Sequence, residues 1–327
     1  MNTGLTDMYD IPVLLIIYNR KEHFQEQLEI LRRIKPLHLF IFADGPKNHS
    51  DRQACDSVRS LVLNSVDWNC KPTVFFSKSN LGCGKGPLSA INWFFSVNEM
   101  GIILEDDCIP SLSFFRFCRE LLIRYENDSR VWQISGTNRL GTYTNESEAS
   151  YTFTNYASEW GWATWRRAWR NFDYSMRLWA NREVRNNLRL IYHKRRWFIN
   201  IVRIFDETFS MNESITWWDY QWLFAKNINS GLSIVPLKNL VMNIGTGPSA
   251  THTNEHGNKF MFLENYEMDS EITHPCTICA NYDFDNMILD AHFPAPESRI
   301  KTIRRISRWL KKLLIFLDIK FPYIKKN

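Results

Sequence analysis

Residues 103–117 read ILEDDCIPSLSFFRF, and within them three adjacent carboxylates directly follow a short apolar segment. The apolar residues 101–104 have the length and composition of a strand buried in a sheet. After the carboxylates, residues 114–125 carry apolar side chains at helical spacing. A buried strand, a polar turn and a helix in this order predict one unit of an α/β sheet.

Three earlier segments have the same strand-like character. The predicted strands lie at residues 12–18, 37–43 and 73–77, and the predicted helices that follow them lie at residues 24–34, 52–63 and 87–98. Strands that alternate with helices in this way form right-handed βαβ units. We therefore predict an α/β fold with a mostly parallel sheet and helices on both faces.

Polar residues follow the C-terminal end of each predicted strand. They are Asn19 and Arg20, Asp44, Asn80, and the three carboxylates Glu105, Asp106 and Asp107. In open α/β sheets, ligands bind in the crevice outside these strand ends. Any one of these residues would also serve as a turn former or helix cap, but together they predict a ligand pocket.

The carboxylates Glu105, Asp106 and Asp107 repel one another, so they need a cation or hydrogen-bond donors nearby. Because successive strand residues point to opposite sides, Glu105 and Asp107 are expected to share one face. Oxygen ligands suit Mg²⁺ or Mn²⁺, which share their coordination shell with substrate phosphates. A metal-bound nucleotide diphosphate is the sharper interpretation, and a solvated acidic turn that caps the next helix is the alternative.

The glycine-rich residues 82–86 (GCGKG) do not form a P-loop. Ser79 stands where the P-loop has its first glycine, and Gly86 stands where it has Ser or Thr. As a turn before a helix, these residues are expected either to offer backbone N–H groups and Lys85 to a phosphate or to form a flexible turn with an exposed lysine.

The composition excludes several classes of protein. With 44% hydrophobic and 23% charged residues among 327, the chain is not disordered, and no apolar run reaches the length of a spanning helix. Seven scattered cysteines do not suggest a disulfide framework, and Cys276 and Cys279 lack the second pair that would complete a metal site. The first residues lack the features of a signal peptide, so we expect a cytoplasmic protein.

The charge is unevenly distributed along the chain. Residues 299–327 contain ten basic residues and one acidic residue, Asp318, which leaves the rest of the chain net acidic. This distribution argues against a nucleic-acid-binding protein. Apolar residues form one helical stripe in this tail, which predicts an amphipathic helix on the anionic inner face of a membrane. A helix docked on the body of the protein or on a second subunit is the alternative.

Seven segments stand out in a fixed order along residues 10–255. They are PVLLIIYNR (12–20), FADG (42–45), SNLGCGKG (79–86), ILEDDCIPSLSFFRF (103–117), EWGWATW (159–165), WWDYQW (217–222) and NIGTGPSATHT (243–253). The series resembles nucleotide-sugar glycosyltransferases of the GT-A fold, in particular N-acetylglucosaminyltransferase I and its bacterial relatives. The resemblance implies a Rossmann-like GT-A domain over residues 1–275, with a nucleotide-sugar half (10–140) and an acceptor half (141–275). We expect a linker (276–298) and the amphipathic tail (299–327) to follow this domain, outside the resemblance.

The resemblance also implies roles for the residues at the strand ends. Asp107 would coordinate the metal, Asp106 would contact the ribose, and Glu105 would lie at the transferred sugar. The other residues expected to bind the nucleotide sugar are Tyr18, Asn19, Arg20, Asp44, Asn80 and Lys85, with Asp44 against the base.

Asp219 matches the catalytic base of the inverting members of this family, which takes a proton from the acceptor hydroxyl. Those enzymes have two adjacent aspartates, whereas Asp219 is followed here by Tyr220. The flanking tryptophans are expected to raise the pKa of Asp219 and so its basicity. The alternative is that Asp219 caps the helix predicted over residues 220–227.

Two further sets of residues complete the predicted site. His252 is expected to be a second protein ligand of the metal, as a late histidine is in several GT-A enzymes, or else a phosphate-facing or structural histidine. Trp160, Gly161, Trp162 and Trp218 are expected to form a platform for the donor and acceptor sugars, because sugar rings stack on aromatic faces. The alternative is that these tryptophans belong to the core.

Taken together, the sequence predicts a metal-dependent inverting glycosyltransferase that uses Mn²⁺ or Mg²⁺. The expected donor is a nucleotide-diphosphate sugar, specifically a UDP-sugar, and the expected acceptor is a glycan or lipid-linked glycan, as in polysaccharide biosynthesis. The alternatives are a retaining glycosyltransferase or a nucleotidyltransferase on the same fold, and a non-catalytic adaptor that binds sugar or membrane.

Overall fold

The computed structural model describes residues 8–144, 148–211, 214–245, 263–268 and 271–295. His252 and the predicted amphipathic tail lie outside the described residues. Within these ranges, no helix has both the length and the apolar character needed to cross a bilayer.

The elements alternate in the order that the sequence predicts. The strands are β1 (Val13–Ile17), β2 (Leu39–Ala43), β3 (Thr73–Phe76), β4 (Met100–Glu105), β5 (Cys108–Pro110), β6 (Val131–Ser135), β7 (Tyr151–Thr154), β8 (Trp162–Trp165), β9 (Leu232–Pro236) and β10 (Val241–Asn243). The α-helices are α1 (Lys21–Ile34), α2 (His49–Asn64), α3 (Gly82–Val97), α4 (Leu112–Arg124), α5 (Arg166–Trp169), α6 (Arg182–Asn187), α7 (Arg195–Met211), α8 (Asp219–Ile228) and α9 (Tyr282–His292). Short 3₁₀ turns lie at Arg177–Ala180 and Leu188–Leu190.

Eight strands form one sheet in the order β3-β2-β1-β4-β8-β6-β9-β7, and β5 pairs with β10 in a small second sheet. Strand β1 pairs in parallel with β2 and β4, β2 pairs in parallel with β3, and β6 pairs in parallel with β9. Strand β8 is antiparallel to both its neighbours, and β7 is antiparallel to β9. The sheet is therefore mostly parallel, which confirms the predicted α/β class and is consistent with a Rossmann-like GT-A fold.

Strand β1 shows how one sequence segment builds a core on each face of the sheet. All five of its side chains are buried. Val13, Leu15 and Ile17 pack into a cluster with α1, α2 and α4, whereas Leu14 and Ile16 pack into a second cluster with α3. Because side chains alternate along a strand, an unbroken apolar strand needs cover on both faces. The helices therefore lie on both faces, as predicted.

Helix α9 lies within residues 276–298, the range expected to be a linker. The Asn281 side chain accepts hydrogen bonds from the backbone N–H groups of Asp283 and Phe284 and so caps the helix. Phe284 and Ile288 are buried in a third cluster together with residues of α7. This part of the range therefore packs as part of the domain.

Candidate functional site at the carboxyl edge of the sheet

The segment that follows β1 is anchored to α2 through one carboxylate. The Tyr18 hydroxyl and the Asn19 side-chain amide both donate hydrogen bonds to Asp51, the second over 2.6 Å. Asp51 lies in the first turn of α2, where negative charge is favourable. Sequence reasoning did not single out Asp51, because nothing in the local pattern shows that it meets a loop 33 residues earlier.

Arg20 links this segment to the carboxylates after β4. Its Nη1 lies 3.0 Å from Asp106 Oδ1 and 3.7 Å from Asp107 Oδ2. The buried side chain of Gln27 on α1 donates to the main-chain oxygens of Glu105, at 2.7 Å, and Cys108, at 2.9 Å. Arg20 and the three carboxylates thus lie together as predicted, and Gln27 holds the turn that carries them.

Burial and neighbouring carboxylates raise the pKa of Glu105 and of Asp106. Burial raises the pKa of Glu105 to about 8, with further contributions from Asp107, Asp106, Asp219 and then Glu159. Burial also raises the pKa of Asp106 to about 6, although Arg20 acts in the opposite direction. These carboxylates are therefore close enough to repel one another when ionised, and a bound cation would relieve that repulsion.

Asp107 is held by the segment that follows β10. The Asn243 side-chain amide donates to Asp107 Oδ1 over 3.1 Å, and the Ile244 N–H donates to the Asp107 main-chain oxygen over 2.8 Å. At Gly245, an added Cβ would lie 2.1 Å from Asp107 Oδ2, so a larger residue would displace the carboxylate. This close contact explains why position 245 needs a glycine, which the sequence alone did not reveal.

The donor set fits a metal bound mainly by its substrate. Among the residues that the structure describes, no three His, Cys, Asp or Glu side chains form a metal-binding group. Mg²⁺ and Mn²⁺ are often held by one or two carboxylates together with phosphates and waters. Asp107 fits such a site, and the predicted second ligand, His252, lies outside the described residues.

Asp44 is buried and holds the start of α3. Its carboxylate accepts from the N–H groups of Gly45 at 2.8 Å, Leu81 at 2.9 Å and Gly82 at 2.9 Å, and from the Asn80 side chain at 3.1 Å. A carboxylate at a helix N-terminus satisfies N–H groups that have no partner within the helix. The role of Asp44 at a nucleotide base stays a prediction, but its structural role is clear.

This contact corrects one interpretation of the glycine-rich turn. The Leu81 and Gly82 N–H groups, which a phosphate would need, are bonded to Asp44. The Asp44 carboxylate thus already occupies the anion-binding position at the helix start. Residues 82–86 form the beginning of α3 rather than a flexible loop. Lys85 also lies in this part of α3.

Asp219 is the first residue of α8, and Trp218 rather than Asp219 occupies the N-cap position. The Asp219 carboxylate accepts a hydrogen bond from the N–H of Tyr220 over 3.0 Å. Its charge raises the pKa of both Glu105 and Glu159, so it lies near the carboxylates that follow β4. The charge of Asp219 therefore reaches Glu105 and Glu159, and its role as the base stays a prediction.

The tryptophan platform is corrected for two of its members. Trp162 and Trp218 are only 1% and 4% exposed, and their rings stack at 5.7 Å inside the second core cluster. Buried rings have no free face on which a sugar could stack. Trp160 is partly exposed and carries the Arg139 guanidinium 4.7 Å from its ring centre. Gly161 has a φ of +61°, and an added Cβ would lie 2.8 Å from Val241.

The raised pKa of Glu105 predicts how stability depends on pH. Folded Glu105 retains its proton between its ordinary pKa of 4.5 and about 8, whereas the unfolded chain loses it, so stability falls as the pH rises through this window. Glu105→Gln stays neutral and lacks this loss. We expect the melting temperature of Glu105→Gln relative to wild type to increase as the pH rises across the window, measured by thermal unfolding without divalent cations. A constant difference would contradict the shift.

Comparisons with known proteins give limited similarity. No protein-family model and no curated protein matches the sequence. One similar solved structure is the mannosyltransferase PcManGT from Pyrobaculum calidifontis in complex with GDP-Man and Mn²⁺. The two sequences are 12% identical, the match covers 50% of this chain and 46% of that chain, and the TM-score is 0.34. Another is HddC from Yersinia pseudotuberculosis, with 17% identity, 39% of this chain and 57% of that chain covered, and a TM-score of 0.26. The chain thus spans about half the length of these two structures.

Proposed function

We propose that this chain is a metal-dependent glycosyltransferase that moves a sugar from a nucleotide-diphosphate donor, a UDP-sugar, to a glycan or lipid-linked glycan with inversion. One observation carries the proposal. The carboxylates after β4 lie at the carboxyl edge of a mostly parallel sheet, paired with Arg20 and close enough to Asp219 for the charges to interact. Ligands bind at this edge in open α/β folds.

Different residues of the site would bind the metal, orient the carboxylates and accept the proton in such a transfer. Asp107 would hold the metal, and a bound metal acts as a Lewis acid for charge on the leaving diphosphate. Arg20 fixes the orientation of Asp106 and Asp107. Asp219 accepts the proton of the acceptor hydroxyl as that oxygen attacks the sugar. His252 as a second ligand and the tail as a membrane anchor stay predictions from the sequence.

The burial of Trp218 and Trp222 beside Asp219 favours its role as a base. Both rings belong to the second core cluster, so the start of α8 rests on a rigid apolar support. A carboxylate on a well-packed helix start keeps its position, and proton transfer depends strongly on position.

The test is the thermal stability of the protein with nucleotide sugars. A ligand that binds only the folded state stabilises it by about 2.7 kcal/mol at a hundredfold excess over its dissociation constant. In a panel of nucleotide sugars, we expect one UDP-linked sugar to raise the melting temperature only with Mn²⁺ or Mg²⁺. Asp107→Asn should abolish the metal-dependent part of the shift, whereas Asp56→Asn, at an exposed site on α2, should leave it unchanged.

The products separate the alternatives. Release of pyrophosphate instead of a nucleoside diphosphate would indicate a nucleotidyltransferase, and NMR of the product anomer distinguishes inversion from retention. If no nucleotide or nucleotide sugar shifts the melting temperature with either metal, the proposed enzyme class is wrong and the binding adaptor takes its place.

A further inference from the structure

A small cavity lies beside Asp219, and its walls come from four separate parts of the chain. Its volume is about 30 Å³. Arg139 follows β6, Tyr156 and Glu159 lie between β7 and β8, and Asp219 begins α8. The remaining lining residues are Ala157, Tyr220, Leu223 and His292. The cavity is thus formed by tertiary packing and not by one local turn.

Glu159 gives this cavity a polar group without a protein partner. The residue is only 9% exposed, and its Oε1 has no hydrogen-bond partner within the described part of the chain. A buried oxygen without a partner is unfavourable, so such an atom in a folded protein indicates an unseen water or ligand. Glu159 is one of the residues that line the cavity, which is large enough to hold such a partner.

The charge of Lys226 does not account for Glu159. The Lys226 ammonium is buried and donates to Gln133 Oε1 over 3.2 Å and to the Ser233 hydroxyl. Across the described ranges, no ion pair joins Lys226 to Glu159. Burial raises the pKa of Glu159 to about 7, and the charge of Lys226 opposes this rise. Glu159 and Lys226 thus interact through space without direct contact, and the Glu159 Oε1 still has no hydrogen-bond partner in the described residues.

The other walls combine charged, neutral polar and aromatic groups. Burial, followed by the charge of Arg139, lowers the pKa of His292 to about 4, so this imidazole is neutral at physiological pH and can accept or donate a hydrogen bond. Its ring packs 5.2 Å from that of Tyr156. Arg139 is directed to the Ser158 hydroxyl, at 3.3 Å, and over Trp160. A neutral polar group next to aromatic rings matches the mixed character of a sugar hydroxyl.

The size of the cavity limits the occupant to one group. A cavity needs about 10–15 Å³ to hold one water, which has two to four polar partners. This cavity holds a group of that size and not a sugar ring. We propose that it is a hydroxyl-binding subsite for the acceptor, in which Glu159 bonds one hydroxyl of the glycan and positions its ring next to Asp219. This inference rests on the proposed function and assigns Glu159 as a specificity-determining residue.

A crystal structure of the protein soaked in glycerol tests the subsite without turnover. We expect a hydroxyl of glycerol within hydrogen-bond distance of Glu159 Oε1, in place of any water that the unsoaked crystal holds there. A cavity that holds only water or nothing, or a Glu159 Oε1 bonded instead to Arg139 or Lys226, would overturn the proposal. This result does not depend on the identity of the donor or on activity.

Kinetics with two Glu159 variants separate hydrogen bonding from charge. Glu159→Met removes both oxygens at similar volume, and Glu159→Gln removes the charge but keeps an oxygen. With the donor found above and methyl hexosides as acceptors, we expect Glu159→Met to raise the acceptor KM about 10-fold or more, and Glu159→Gln to retain most acceptor affinity. Equal losses in both variants, or a loss confined to kcat, would contradict the proposal.

Controls keep this test separate from the proposed function. Donor affinity should be unchanged in both variants. If the wild type binds no donor, the proposed function is wrong, and the glycerol soak still tests the cavity. Where Glu159→Met does not fold, Ala157→Leu fills the cavity and keeps every charge, so it should raise the acceptor KM in the same way. If no methyl hexoside stimulates the wild type, the soak decides alone.

Discussion

Asp219→Asn is expected to lower kcat by about 10²–10⁴-fold, which is the usual contribution of a general base. The substitution keeps the size and hydrogen-bonding shape of the side chain, so the bond to the Tyr220 N–H can persist. An amide cannot take the proton of the acceptor hydroxyl at neutral pH. Because the donor is expected to bind through Arg20 and the carboxylates after β4, its affinity should change little, and the loss should appear in kcat.

A matched control is available on another helix. Asp283 lies in the first turn of α9, as Asp219 does on α8, and it is exposed. Asp283→Asn removes the same favourable charge from a helix start without touching the site. Steady-state rates of nucleoside diphosphate release should be unchanged in this variant. If Asp219→Asn also retained near wild-type kcat, Asp219 would not be the base.

The sequence was sufficient to predict the strands and helices that alternate along the first 125 residues of the chain. Residues 12–18 predict β1 because an unbroken apolar segment of that length has to be covered on both faces, and the structure covers both. The meeting of Arg20 with the carboxylates after β4 also followed from the sequence. Carboxyl ends of adjacent parallel strands lie at one edge, and β1 pairs in parallel with β4.

Side chains that act across long sequence distances were not predictable in this way. Gln27 looks like an ordinary polar residue on an amphipathic helix, yet it is buried and holds the turn 78 residues later. Trp162 and Trp218 were expected to face sugars, because spacing does not show whether an aromatic residue faces solvent or core. Only the packing of β8 against α8 decides that both are buried. The partnerless oxygen of Glu159 likewise exists only in the folded chain.

The second large effect is expected at Asp44, on stability rather than on rate. Asp44→Ala removes the acceptor for three backbone N–H groups and one side-chain amide, all near the start of α3. Each buried donor left without a partner costs about 1–3 kcal/mol, so we expect the free energy of unfolding to fall by about 3–5 kcal/mol. Chemical denaturation with urea measures this loss as a lower midpoint at unchanged slope.

Asp44→Asn provides the graded control and separates stability from nucleotide binding. Its amide oxygen accepts from some of the donors, but its NH₂ group faces N–H groups that also donate, so the loss should be intermediate. Both variants are compared at a temperature where each remains folded. If Asp44 also contacts the base, donor affinity falls in both variants at that temperature. If it only holds α3, the affinity of the folded fraction stays near that of wild type.

An unchanged urea midpoint in Asp44→Ala would contradict the stability prediction. It would mean that water replaces the carboxylate at the helix start, and the structural role assigned to Asp44 would then be wrong.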